Sequence, residues 1–346
     1  MKNLKSIVIL FLVINLAACK KDKNKPGDNE NDPAIPITDI YVAGYQTSRG
    51  SNVAIYWKNG VPVTLSDGIM SAHINSIKIQ GPDVYAAGWE GIPLGNGKNK
   101  AEYWKNGVVT QLSIGNNDAT ATGIVVNGSD IYIAGSEHNG TAYVAKVWKN
   151  GVATNLSDGT KTNRTGNIVM AGNDIYVCGG EYNGTRMVAK YWKNGQAVIL
   201  TDGSKSAFAN AIAVRDNDVY VAGSETEGNN TVAKYWKNGL AVSLTDGRVP
   251  AIANSIAISG KNVYVSGWER STIKNIDIAR YWKNGNAVQL SDGITEGAHG
   301  NAIAVNGNDV YVAGYKGNFP VYWKNGQVVQ LSDRSASTEM WDIVLK

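Results

Sequence analysis

A seven-bladed all-β propeller is the fold class this sequence predicts, and three observations carry the prediction. The tetrapeptide Trp-Lys-Asn-Gly occurs seven times, beginning at Trp57, Trp104, Trp148, Trp192, Trp236, Trp282 and Trp323, with 41 to 47 residues between successive copies. A period in the low to mid forties is that of a four-stranded propeller blade. Within a repeat, segments such as Val232-Ala233-Lys234-Tyr235-Trp236 and Asn262-Val263-Tyr264-Val265 blur the alternation of apolar and polar residues, as a sheet covered on both faces does. The two ends of the repeat region are also complementary. Asp39 to Gly44 reads as a second strand with no first before it, and Trp341 to Lys346 as a first strand with no second after it.

In chain order, residues 1–18 read as a signal peptide: Lys2 and Lys5 precede an apolar run from Ile7 to Val13 that is too short to span a bilayer. Leu16-Ala17-Ala18-Cys19 resembles the lipobox of bacterial lipoproteins, which implies a lipid on Cys19 and membrane attachment through it. Lys20 stands where an inner-membrane retention aspartate would, so an outer-membrane location is expected, periplasmic or at the cell surface. Residues 19–37 carry few apolar side chains and read as a disordered tether. Residues 38–346 are expected to form one propeller domain.

The fifth repeat shows four strands, a to d: Asn210 to Val214, Asp218 to Gly223, Thr231 to Lys237, and Leu240 to Leu244. Turns such as Asn306-Gly307-Asn308 join a to b, and Lys-Asn-Gly joins c to d, with Asn-Gly supplying the positive φ angles of a tight hairpin. These short turns share one face, which leaves the longer b-to-c and d-to-a loops on the other. The repeated Trp, and a Tyr in every b strand (Tyr41, Tyr85, Tyr132, Tyr176, Tyr220, Tyr264, Tyr311), are expected in the core. Leu-Ser-Asp-Gly or Leu-Thr-Asp-Gly after strand d reads as a turn.

The c–d hairpin resembles the bacterial extracellular repeats called HAF and, more widely, the WKNG-repeat lipoproteins of Bacteroidota. The departure is that Val-Ala-Lys-Tyr stands where His-Ala-Phe precedes the Trp. The resemblance covers residues 39 to 346 and implies a repeat architecture; its motif is weak for activity, and no catalytic residues carry over from it.

Composition narrows the function classes. Removing residues 1–18 leaves 31 basic against 29 acidic side chains, with no concentrated basic face for nucleic acid. Cys178 is the one cysteine besides Cys19, so no intrachain disulfide is expected. The three histidines, His73, His138 and His299, show no metal-ligand spacing, and neither metal nor other cofactor is expected. No Gly-x-Ser-x-Gly elbow is present in a strand-to-helix setting. A monomer is expected.

Positions that vary among matching blades are the candidates for recognition. One follows the b-strand Gly: Tyr45, Trp89, Ser136, Gly180, Ser224, Trp268 and Tyr315. In a closed ring Trp268, Tyr315, Tyr45 and Trp89 form an aromatic arc over blades 6, 7, 1 and 2. Glu90 and Glu269 belong to an incomplete acidic ring one residue on. The second position lies at the channel mouth: His73, Thr120, Arg164, Phe208, Ile252, His299 and Glu339. Aromatic faces beside carboxylates suit a sugar or peptide. The leading expectation is a non-enzymatic binding or scaffolding module of the cell envelope that contacts a glycan or protein. The alternatives are a polysaccharide hydrolase or lyase using mouth residues, and a spacer without ligand.

Overall fold

The repeated motif folds as its turn chemistry requires. In every c–d turn the Asn sits at φ near 50° and the Gly at φ of 80–85°, the pairing a two-residue type I′ hairpin needs. Each Asn also reaches back to strand b. Asn59 Oδ1 accepts the Ile40 N–H at 2.8 Å and its Nδ2 donates to Asp39 at 2.7 Å, and Asn238 does the same with Val219 and Asp218. The motif Lys pairs with that Asp while lying over the b-strand Tyr, as Lys237 does at 2.7 Å from Asp218 and 5.2 Å from the Tyr220 ring. Trp, Lys, Asn and Gly therefore form one device with Asp-x-Tyr of strand b. In blade 6 Asn262 replaces the Asp, and Asn284 bonds to it instead.

The computed structural model describes residues 32–37, 39–91, 98–113, 117–332 and 337–346. Cys19, the signal peptide and residues 19–31 of the expected tether lie outside them. Among the described residues every regular element is a β-strand, and the strands form seven separate four-stranded antiparallel sheets. Strand a is innermost: each a strand packs against those of the blades before and after it, round to blade 1. Strand d is outermost and solvent-exposed along most of its length, as Leu240–Ser243 is in blade 5.

Closure occurs as the termini imply. Thr338–Leu345 pairs antiparallel with Ile40–Ser48, placing Ile343 opposite Val42, and completes blade 1 ahead of Ser51–Lys58 and Val61–Thr64. Asp342 ties this strand to blade 2, accepting from Ser76 Oγ and the Ile77 N–H at 2.9 Å each. Closure pairs the blade 1 edge instead of leaving it to aggregate.

The core lies between blades. The seven motif Trp are 1–2 % exposed, and each packs on the blade before it: Trp282 of blade 6 against Tyr220 and Ala222, Trp57 of blade 1 against Tyr311 and Ala313. Six of the b-strand Tyr are buried, and Tyr132 is half-buried. Truncating one such ring to Ala costs ~3–5 kcal/mol.

Strand a starts earlier than the sequence pattern suggests. In blade 5 it runs Ala207–Arg215, with a bulge between Ala209 and Ala211. The bulge turns Asn210 toward the channel, where its amide donates to the Ala253 carbonyl of blade 6 at 2.9 Å. Asn75 and Asn301 lace blades 2 to 3 and 7 to 1 in the same way. The bulge also presses the mouth residue's carbonyl onto the b-strand Gly. A Cβ on Gly223 would lie 2.0 Å from the Phe208 oxygen, and one on Gly88 1.8 Å from that of His73.

Residues 32–37, the last part of the expected tether, are held against the a–b turn face. Asp32 forms an ion pair with Arg215 of blade 5, and Ile35 exchanges hydrogen bonds with Asn306 of blade 7. Ile37 packs on the seam between blades 7 and 1.

Candidate functional site

The two variable positions are one belt. They face each other across the a–b pairing in every blade: Tyr45 opposite Glu339, Trp89 opposite His73, Trp268 opposite Ile252, Tyr315 opposite His299. Between blades, the a-strand residue then meets the b-strand residue of the blade before. The belt runs around the channel mouth on the loop face, alternating a and b.

Over blades 6, 7, 1 and 2 the belt is filled. His299 lies between Trp268 and Tyr315, with ring centroids 4.9 and 4.7 Å away. His73 lies between Tyr45 and Trp89 at 3.9 and 4.1 Å. Glu339 bridges the two groups, accepting a hydrogen bond from the Tyr45 hydroxyl. The arc is therefore two stacks of three rings joined by a carboxyl, whose inner rings use their faces on one another, and Tyr45 is only 8 % exposed. Trp89 and Trp268, at its ends, are half-buried, and the Arg270 guanidinium lies 5.9 Å from the Trp268 ring.

Burial shapes the titration of this sector. The His73 imidazole is pushed down to about 4 by desolvation, and its Nε2 meets the Asn52 amide at 2.7 Å. Desolvation also lowers His299, opposed by Asp277, whose Oδ2 is 2.8 Å from His299 Nε2. Tyr45 rises to about 12 through burial and then the Glu339 charge. Burial raises Glu339, with the Tyr45 hydrogen bond opposing. His73 is thus neutral near pH 7. Among the described residues, no group of three or more His, Cys, Asp or Glu side chains could hold a metal ion.

The carboxylates one residue beyond the belt have partners in four blades. Glu137 pairs with Lys146, Glu181 with Lys190, Glu225 with Lys234 and Glu269 with Arg280, at 2.5–2.9 Å. The cation stands two residues before the motif Trp in each case. Blade 2 breaks the pattern, because that position holds Glu102, which is 6 % exposed and shares the slot with Glu90. Desolvation, then the Glu90 charge, pushes the Glu102 carboxyl up to about 7. Burial and then Asp67 raise Glu90. Reading the residue two before each Trp would have revealed this reversal.

Over blades 3 to 5 the belt is hollow. Thr120 and Ser136 are small and line a space there, whereas at Gly180 the room is taken by the Phe208 ring of blade 5, which would lie 2.9 Å from a Cβ on that residue. The result is a cavity of about 320 Å3 lined by Asp118, Thr120, Ser136, Tyr143, Arg164 and Phe208. It adjoins the channel, a space of about 260 Å3, through Thr122, Thr165 and Phe208. Arg164 is exposed, lies 4.9 Å over the Tyr143 ring, and forms no ion pair with any described residue. Asp118 accepts from the Tyr143 hydroxyl at 2.5 Å and the Asn99 N–H at 2.8 Å.

Arg164 is thus separated along the belt from His73, His299 and Glu339, which stand together in the filled sector. Tyr143 and Asp118 escaped the sequence reading, since they lie at the start of strand c and in a d-to-a loop, outside the aligned variable columns.

No protein-family model matches the chain, and no curated protein does. Among solved structures it is similar to the acylaminoacyl peptidase of Pyrococcus horikoshii, with 12 % identity and a TM-score of 0.48 over 85 % of this chain. The match covers 50 % of that enzyme, so this chain spans about half its length.

Proposed function

We propose that this chain is a non-enzymatic binding module that receives a ligand at the loop-face mouth. The observation that carries the reading is the division of the belt, in which blades 6, 7, 1 and 2 are filled by stacked rings and blades 3 to 5 enclose the 320 Å3 hollow. A concave site with a few convergent polar groups beside apolar walls is what a small ligand or a protruding segment of a larger one requires. The filled sector is a rigid wall beside it. Glycan is the favoured ligand class, because hydroxyl-bonding groups and two aromatic rings line the hollow.

The same reading includes the envelope address. Cys19 carries a lipid, as its lipobox-like sequence implies, and the chain belongs with the WKNG-repeat lipoproteins of the outer membrane. Residues 32–37 run along the a–b turn face. An anchor upstream of them would leave the mouth pointing away from the bilayer.

A hydrolase or lyase is the second reading, and Glu339 favours it: a mouth carboxyl raised by burial is suited to general acid work. Its requirement for a second group is harder to meet, since Asp277 is committed to His299 and Arg270.

A glycan array and polysaccharide pull-down with the full chain tests the binding reading against Thr120→Trp, which fills the hollow, and Trp89→Ala/Trp268→Ala, which opens the ends of the wall. Binding lost in Thr120→Trp is the expected result. Turnover of a bound polymer that Glu339→Gln abolishes would replace it with the enzymatic reading.

A further inference from the structure

The geometry points to a carboxylated sugar, a uronate unit of an acidic polysaccharide, as the occupant of the hollow in blades 3 to 5. This rests on the reading that the loop-face mouth is a binding site, and it adds the chemical class.

Arg164 supplies the first argument. Its guanidinium is exposed at the rim and unpaired among the described residues, whereas Arg215, Arg270 and Arg280 each hold a carboxylate elsewhere on the molecule. A guanidinium offers a planar fork of donors that matches a carboxylate in two parallel hydrogen bonds. Stacking over Tyr143 at 4.9 Å holds that fork in place before a ligand arrives, which reduces the side-chain ordering cost of binding.

Asp118, which shares Tyr143 with Arg164, supplies the second argument. Asp118 is held by the Tyr143 hydroxyl and the Asn99 N–H, and its oxygens retain lone pairs for further donors. A simple anion filling the hollow would meet this carboxylate and be repelled. A molecule that carries both an acid and hydroxyls matches the two groups, with its acid on Arg164 and its hydroxyls toward Asp118 and Thr120. The half-buried Phe208 ring adds an apolar surface to the lining. A volume of about 320 Å3 suits one ring, with the rest of the chain continuing over the mouth.

Titration calorimetry with trigalacturonate, its methyl ester and neutral galactotriose tests the assignment on the full chain and on Arg164→Ala, Arg164→Lys and Thr120→Trp, each checked for an unchanged circular dichroism spectrum. The acid trimer is expected to bind at least about tenfold more tightly than the ester or the neutral sugar. Arg164→Ala should remove that preference, and Arg164→Lys should restore part of it. Equal affinity for acid and neutral trimers, with loss in Thr120→Trp, would overturn the acidic-sugar assignment while leaving the mouth as a binding site. Acid binding that survives both Arg164→Ala and Thr120→Trp would overturn the placement. A folded chain that binds none of the trimers would overturn the assignment too, and the wider glycan panel would then judge the binding reading separately.

Discussion

Glu102 makes the sharpest prediction about stability. The slot that holds Lys146, Lys190, Lys234 or Arg280 beside a glutamate in blades 3 to 6 holds a second carboxyl in blade 2. Its carboxyl moves from 4.5 to about 7 on folding. At ~1.4 kcal/mol per unit of pKa, the ceiling on the cost is ~3 kcal/mol, and with 6 % exposure little of that is screened by solvent. The sign follows from proton uptake. Below pH 4.5 the group is protonated in both states and costs nothing. Between 4.5 and 7 only the folded state keeps the proton, so stability falls as pH rises, and above 7 the loss is complete. Glu102→Gln should therefore match the parent at pH 4 and exceed it by ~1–3 kcal/mol at pH 8. Urea unfolding from pH 4 to pH 8, with equal m values for both proteins, measures the difference. Glu102→Lys should gain at least as much at pH 8, because its ammonium would meet Glu90 as Lys146 meets Glu137. A parent-minus-Gln difference that stays flat across this range would refute the reasoning.

Two further outcomes follow from the repeat motif and the bulge. In the blade 5 turn, Lys237→Met should cost below ~1 kcal/mol, since the Lys237 side chain is 46 % exposed. Asn238→Ala should cost more, ~1–2 kcal/mol or above, because it removes two hydrogen bonds and puts Ala at φ 50°; equal melting temperatures for the two variants would contradict this ordering. Gly223→Ala places a Cβ 2.0 Å from the Phe208 carbonyl oxygen and should cost at least ~2 kcal/mol in thermal unfolding. A variant as stable as the parent would show that the bulge relaxes freely.

The fold was legible because its determinants repeat. Trp and Asn-Gly recur with their neighbours in register, and periodicity exposes both packing and turn residues without any knowledge of contacts. The partners of the motif Lys and Asn were harder to see. They sit about twenty residues upstream, in Asp-x-Tyr of strand b, and only the antiparallel pairing brings Asp218 beside Lys237 and Asn238. The interblade asparagines were hidden by the bulge, since an extra residue in strand a shifts Asn210 and Asn301 out of simple alternation. Ring closure needed only the unmatched strands at the ends.

The site was legible in its columns and not in its geometry. Variation picks out Trp89 and His73 separately, yet the a–b register makes them cross-strand partners and the propeller twist adds Tyr45 to the same stack. An aromatic side chain at a variable position suggests an open platform, but its neighbours on both sides are also rings, and mutual stacking consumes the faces a sugar would need. The useful signal was the opposite one. Where Thr120 and Ser136 are small the belt does not fill itself, whereas Phe208 takes the room beside Gly180. In the proposed reading, recognition is therefore placed by the small residues Thr120 and Ser136, and its chemistry by the side chains that reach in beside them, Arg164 and Asp118 foremost.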